Sequence, residues 1–123
     1  MERRIALVRA LWFGVLWDLA AFVTLLAMPS WLFQLFDHPV PAEPFLFRLA
    51  GLPLLMAPVV YAMAARDGRP DSPLVTASIG LRVVGAFGIA ALLIAMTPAG
   101  ALAYWSFVVV DLALAGIYVV LRR

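Results

Sequence analysis

Cysteine is absent from the 123 residues, lysine is absent too, and there is one histidine, His38. Without cysteine there are no disulfide staples, thiol relays, zinc–thiolate sites or iron–sulfur clusters. A single histidine does not make a bis-histidine haem or a His-rich metal site, so no cofactor is expected. Charge is scarce as well: 13% of residues are charged, against about 25% in soluble domains, which must cover a water-facing surface. Apolar residues fill the chain instead, at 66%, and the mean hydropathy is +1.05. Disorder, coiled coil and collagen do not fit these figures, which leaves an integral membrane protein forming a single domain over 1–123.

Crossing about 30 Å of hydrocarbon takes about 20 apolar residues in a helix. Four runs qualify: Ile5 to Met28, Phe45 to Ala65, Pro73 to Met96 and Pro98 to Leu121. Ser72-Pro73 and Thr97-Pro98 each read as an N-cap residue followed by proline in the first turn, where its missing N–H costs nothing. Pro39, Pro41 and Pro44 rule out a helix in the first connection, and 66–71 reads as a polar turn. Residues 29–36, with Trp31, Phe33 and Phe36, suit a short interfacial helix at the headgroup boundary. The expected fold is therefore all-α, a four-helix transmembrane bundle of up-down topology with an interfacial helix after the first span. The first run is expected to be a retained span, being too long for a signal sequence and interrupted by Asp18.

The nine basic residues are all arginine, set against seven acids. Arg3, Arg4, Arg9, Arg66, Arg69, Arg122 and Arg123 all fall on one side of such a bundle, and the opposite loops carry none. The positive-inside bias then puts both termini and the middle loop in the cytoplasm. Arginines placed this way set topology and touch anionic lipid; they do not form a nucleic-acid surface.

Four ionisable residues fall within the spans, one per helix: Asp18, Arg48, Arg82 and Asp111. Each costs about 2.5–3.5 kcal/mol near a helix centre, so partners are expected, and two acids with two bases sum to zero. At 1.5 Å per residue from the arginine-rich side, Asp18 lies roughly 20 Å deep, Arg82 roughly 14 Å, Asp111 roughly 15 Å and Arg48 roughly 25 Å. The simplest pairing is Asp18 with Arg48 and Arg82 with Asp111; a joined four-residue network is also open. Small residues share the charged faces, Gly14 and Ala21 with Asp18, and Ser78, Gly85 and Ala86 with Arg82, which marks them as packed faces. Tyr104 and Tyr118 stand one heptad either side of Asp111, placing two hydroxyls within the network's reach. The cluster reads either as a ligand-binding or proton-linked site or as an internal staple fixing helix order. His38 reads as an exposed loop residue. Pro53 and Pro58 are expected inside the second span, where they would kink it beside Arg48.

The Phe47-Arg48-Leu49-Ala50-Gly51 entry to the second span, its Tyr61 to Asp67 exit, the Arg82 to Gly85 element and Asp111 together resemble small four-helix bacterial membrane proteins of the DoxX-like family. That resemblance implies a left-handed bundle in the bacterial inner membrane with accessory or lipid-related roles, and it carries over no catalytic residue. With minimal loops and no reactive side chain, the expected function is non-enzymatic: binding a lipid or quinone-like amphiphile, or serving as an accessory subunit. The partners expected are membrane lipids, a lipophilic small molecule, and copies of itself or a larger membrane complex. The alternative is a small proton-coupled exporter using Asp18. Small multidrug transporters have a similar length and an acid in the first helix, but the arginine asymmetry here and the repulsion of a cation by nearby arginines weigh against it. An intramembrane isomerase would need the His and Glu that these spans lack.

Overall fold

The computed structural model describes residues 1–27, 30–35, 37, 39, 51–97 and 101–123. Among them there is helix and no strand: α1 (Glu2–Ala27), α2 (Ser30–Leu35), α3 (Pro53–Asp67), α4 (Pro73–Met96) and α5 (Ala101–Arg122). Three of these, α1, α4 and α5, are long and apolar enough to cross a membrane. At 1.5 Å per residue each exceeds about 30 Å. Glycine is tolerated within α4, at Gly80, Gly85 and Gly88, because in lipid the backbone has no water to turn to and keeps its helical bonds.

Local grammar sets the helix ends. The Ser72 hydroxyl accepts from Leu74 N at 3.3 Å, with Pro73 in the first turn, as the sequence predicts. Gly68 closes α3 at φ +61°, its N–H donating to Ala64 O at 3.0 Å, a left-handed cap that costs glycine least. Two expectations change here. Thr97 closes α4 in the left-handed region, with its N–H donated to Leu93 O, so it serves the helix before it. Pro53 lies in the first turn of α3, where its fixed φ fits, and only Pro58 is internal. The first eight residues of the Phe45–Ala65 span include six outside the described residues, as do Pro98 and His38. Residues 30–35 of the expected interfacial segment are helical.

Packing follows a ring in which α1 lies against α3, α3 against α4, α4 against α5, and α5 against α1. Among the described residues α1 and α4 face each other across the diagonal without close backbone contact. Arg4, at the start of α1, lies against the Gly68 turn. The Tyr118 hydroxyl, near the end of α5, donates to Ala10 O of α1 at 3.2 Å. Two apolar cores result. Leu7, Leu11, Val15, Tyr61, Ala64, Ala65, Val75, Leu114 and Tyr118 form the larger, drawn from all four ring helices. Ala86, Leu93 and Val108, with Tyr104 against them, form a smaller one between α4 and α5. Outward faces are apolar too, Val84 at 73% and Ile94 at 71% exposure among them. Surface of that kind needs a hydrocarbon solvent.

Candidate functional site

Between the two cores, the ring closes on one guanidinium. On α1 the buried residues Leu11, Gly14, Val15, Asp18 and Ala21 recur every three or four positions, so Asp18 faces inward. On α4 the buried face runs through Val75, Ser78, Arg82 and Ala86, and Ser78 satisfies itself by donating to Leu74 O at 2.8 Å. Arg82 is 1% exposed and lies opposite α1 across the ring diagonal. Its length carries it over: Nη1 donates to Asp18 Oδ1 at 3.0 Å and also to Asp111 Oδ1 on α5. Tyr61 supplies the α3 side, with its ring centroid 4.4 Å from Arg82 Cζ. A cation over the face of an aromatic ring is attracted by the ring quadrupole. Each ring helix thus contributes one side chain to the cluster.

The approach of the guanidinium to α1 depends on Gly14. A Cβ at that position would stand 2.6 Å from Arg82 Nη2 and closer still to the Tyr118 hydroxyl. Tyr118 therefore borders the cluster as the sequence anticipates, although its hydroxyl donates to the Ala10 backbone. Tyr104 sits in the smaller core with Ala86, Leu93 and Val108. Arg48 lies outside the described residues.

The expected Arg82–Asp111 pair is present, Asp18 also meets Arg82, and the Asp18–Arg48 pair lies outside the described residues. Asp18 is buried within the ring, and Arg82 on the facing α4 reaches it across the diagonal. Among the described residues two carboxylates meet one guanidinium, a formal sum of −1. The pairing also leaves donors over. Arg82 Nε and Nη2 are buried and without a hydrogen-bond partner among the described residues, as is Trp17 Nε1. The Trp17 ring meets Phe107 of α5 at a centroid distance of 5.5 Å. A buried polar group without a partner costs about 1–3 kcal/mol, and the Tyr118 hydroxyl stands beside Nη2 as one available acceptor.

Tyr61 is the member that charge counting misses. Its signal is weak, because an aromatic among Ala57, Ala62, Ala64 and Ala65 reads equally well as packing. Chemically the cluster is a hydrogen-bond donor set framed by carboxylates. Among the described residues no group of three or more His, Cys, Asp or Glu converges as a metal site would require. Comparison with family models, with curated proteins and with solved structures finds no match.

Proposed function

We propose that this chain is a non-enzymatic, four-span membrane protein of up-down topology whose core holds the polar head of a lipid or quinone-like amphiphile. Arg82 is the principal donor in this reading. The observation that carries it is the buried Nε and Nη2 edge of Arg82, which has no hydrogen-bond partner among the described residues once Nη1 has served both aspartates. That edge has a geometry that grips two oxygens at once. Both termini and the 68–72 turn belong to the cytoplasmic face, a placement supported by the Arg4–Gly68 and Tyr118–Ala10 contacts and by the arginines gathered there. The likeness to DoxX-like proteins, with their lipid-related roles, is part of the same proposal, as is service as an accessory subunit or homo-oligomer.

Native mass spectrometry after mild extraction tests the reading. The protein is expected to retain an amphiphile at one copy per chain. Arg82→Lys, which keeps the charge between the aspartates and lacks the two-nitrogen edge, is expected to fold and to lose it. A clean protein with nothing retained contradicts the proposal.

One observation favours a second reading, a proton-coupled exporter using Asp18: two carboxylates share one guanidinium among the described residues. On that reading Asp18→Asn leaves fold and oligomer intact and abolishes substrate-driven proton release. Unchanged release in Asp18→Asn removes it.

A further inference from the structure

Away from the Arg82 cluster, the first turns of α1 carry two opposite charges on their outward face. Leu7, Leu11 and Val15 mark the buried side of this helix. Glu2, Ile5 and Arg9 fall on the opposite side and are exposed, and the same stripe continues through Phe13 and Leu16. Together with the shorter Ala6, the residues Glu2, Ile5 and Arg9 line an open hollow of about 460 Å³. Neither Glu2 nor Arg9 has an ion-pair partner among the described residues. The neighbouring cations point elsewhere: Arg3 stands about 100° further round the helix, and Arg4 lies against the Gly68 turn.

Because α1 is long and apolar enough to span a bilayer, its first turns stand at headgroup level, with Glu2 toward water and Arg9 roughly 10 Å deeper. An arginine facing hydrocarbon is costly, so its long arm turns toward phosphate oxygens, two of which a guanidinium grips at once. Glu2 repels a phosphate and accepts from a cation. Its place at the N-terminal end of α1 also suits the helix dipole, but that attraction uses up no carboxylate oxygen. The face therefore presents a base toward hydrocarbon and an acid toward water. A phosphoethanolamine head has the complementary order, phosphate next to glycerol and ammonium beyond it. A primary ammonium donates N–H groups to a carboxylate, which a quaternary one does not, and a phosphoglycerol head sets an anion against Glu2 with no cation to offset it. We infer that the outward face of α1 holds a phosphoethanolamine lipid, its phosphate on Arg9, its ammonium on Glu2 and an acyl chain along Phe13 and Leu16. This site is separate from the Arg82 cluster and goes beyond the amphiphile reading, so either can fail without the other.

Dioleoyl lipids with phosphoethanolamine, phosphocholine and phosphoglycerol heads share their acyl chains and isolate the claim. Each is titrated into delipidated protein in detergent micelles, and binding of the first lipid is read by native mass spectrometry. The other arginines are common to the unsubstituted protein and its variants, so the change on substitution reports this face. The unsubstituted protein is expected to bind the phosphoethanolamine lipid at least about fivefold more tightly than either of the others. Glu2→Gln, which keeps the length and removes the charge, is expected to abolish that preference. Arg9→Gln is expected to weaken phosphoethanolamine lipid binding about tenfold. Both positions are exposed and unpaired, so circular dichroism is expected to be unchanged in both variants. A preference for the phosphoglycerol lipid in the unsubstituted protein overturns the inference and leaves a general attraction of arginine for anionic lipid. Equal binding of the three heads overturns it as well, and so does a phosphoethanolamine preference that survives Glu2→Gln.

Discussion

Gly14 makes room for a charge. Alanine there would drive its Cβ against Arg82 Nη2 and the Tyr118 hydroxyl, atoms of two buried side chains that are anchored elsewhere, Arg82 through Nη1 to the aspartates and Tyr118 to Ala10 O. Gly14→Ala is expected to destabilise by about 1–3 kcal/mol, as overpacking a filled core does. Gly88→Ala is the internal comparison, because a Cβ at Gly88 meets nothing, and it is expected to stay within about 0.5 kcal/mol. Thermal or denaturant unfolding in detergent micelles reads both, and equal losses contradict the close approach. At Tyr61 the ring face is what matters. Tyr61→Phe keeps a face beneath the guanidinium and is expected to be mild. Tyr61→Leu loses the cation–π contribution, about 1–2 kcal/mol at a desolvated site. A larger loss in Tyr61→Phe than in Tyr61→Leu would show that the hydroxyl, not the ring, is the contact.

At the scale of the elements, the α3–α4 turn joins two caps to a surface charge pair. Ser72→Ala removes the acceptor for Leu74 N and is expected to cost about 1 kcal/mol. The Ser72 hydroxyl and Arg69, whose Nε donates to Asp67 Oδ1 at 2.9 Å, hold the Asp67 carboxyl below the usual carboxylate range. Because its value is lowered on folding, the stability that ionised Asp67 contributes is complete above the ordinary carboxylate range and is lost as pH falls through the lowered value. Asp67→Asn is therefore expected to flatten that acid limb of Tm against pH and to leave the neutral region's slope unchanged; an identical limb in both proteins contradicts the assignment. This turn was legible in the sequence because Ser, Pro and Gly act locally, on backbone groups within a few residues. The inward phase of Asp18 and Arg82 was legible too, from glycine and alanine recurring at helical spacing. The sharing of Arg82 was one of two arrangements the sequence left open, and the sequence did not choose between them. It depends on α1 and α4 standing on a diagonal, a relation that depth counting along separate helices does not contain. Thr97 reads in the sequence as an N-cap because a Thr-Pro pair is the local signature of one, whereas its left-handed backbone assigns it to the end of α4.

For the whole molecule, topology and cohesion are separate questions. The chain has no cysteine, so single introduced cysteines report sidedness cleanly. Asp71→Cys and Arg123→Cys are expected to label from the cytoplasmic side, and Asp37→Cys from the other; labelling of positions 37 and 71 from one side would contradict the proposed four-span arrangement. Cohesion rests on the cluster that ties α1, α4 and α5 through Arg82, with outward faces left to lipid. Breaking a buried ion cluster by removing one member strands charge in the interior, whereas replacing every member with apolar groups does not. The most direct measurement compares unfolding free energies of two variants in the same micelles. Arg82→Ala, which leaves Asp18 and Asp111 together without their cation, is expected to lose about 3–5 kcal/mol. Arg82→Leu combined with Asp18→Leu and Asp111→Leu is expected to lose distinctly less. An equal or greater loss in the triple variant would contradict a core in which these three charges meet.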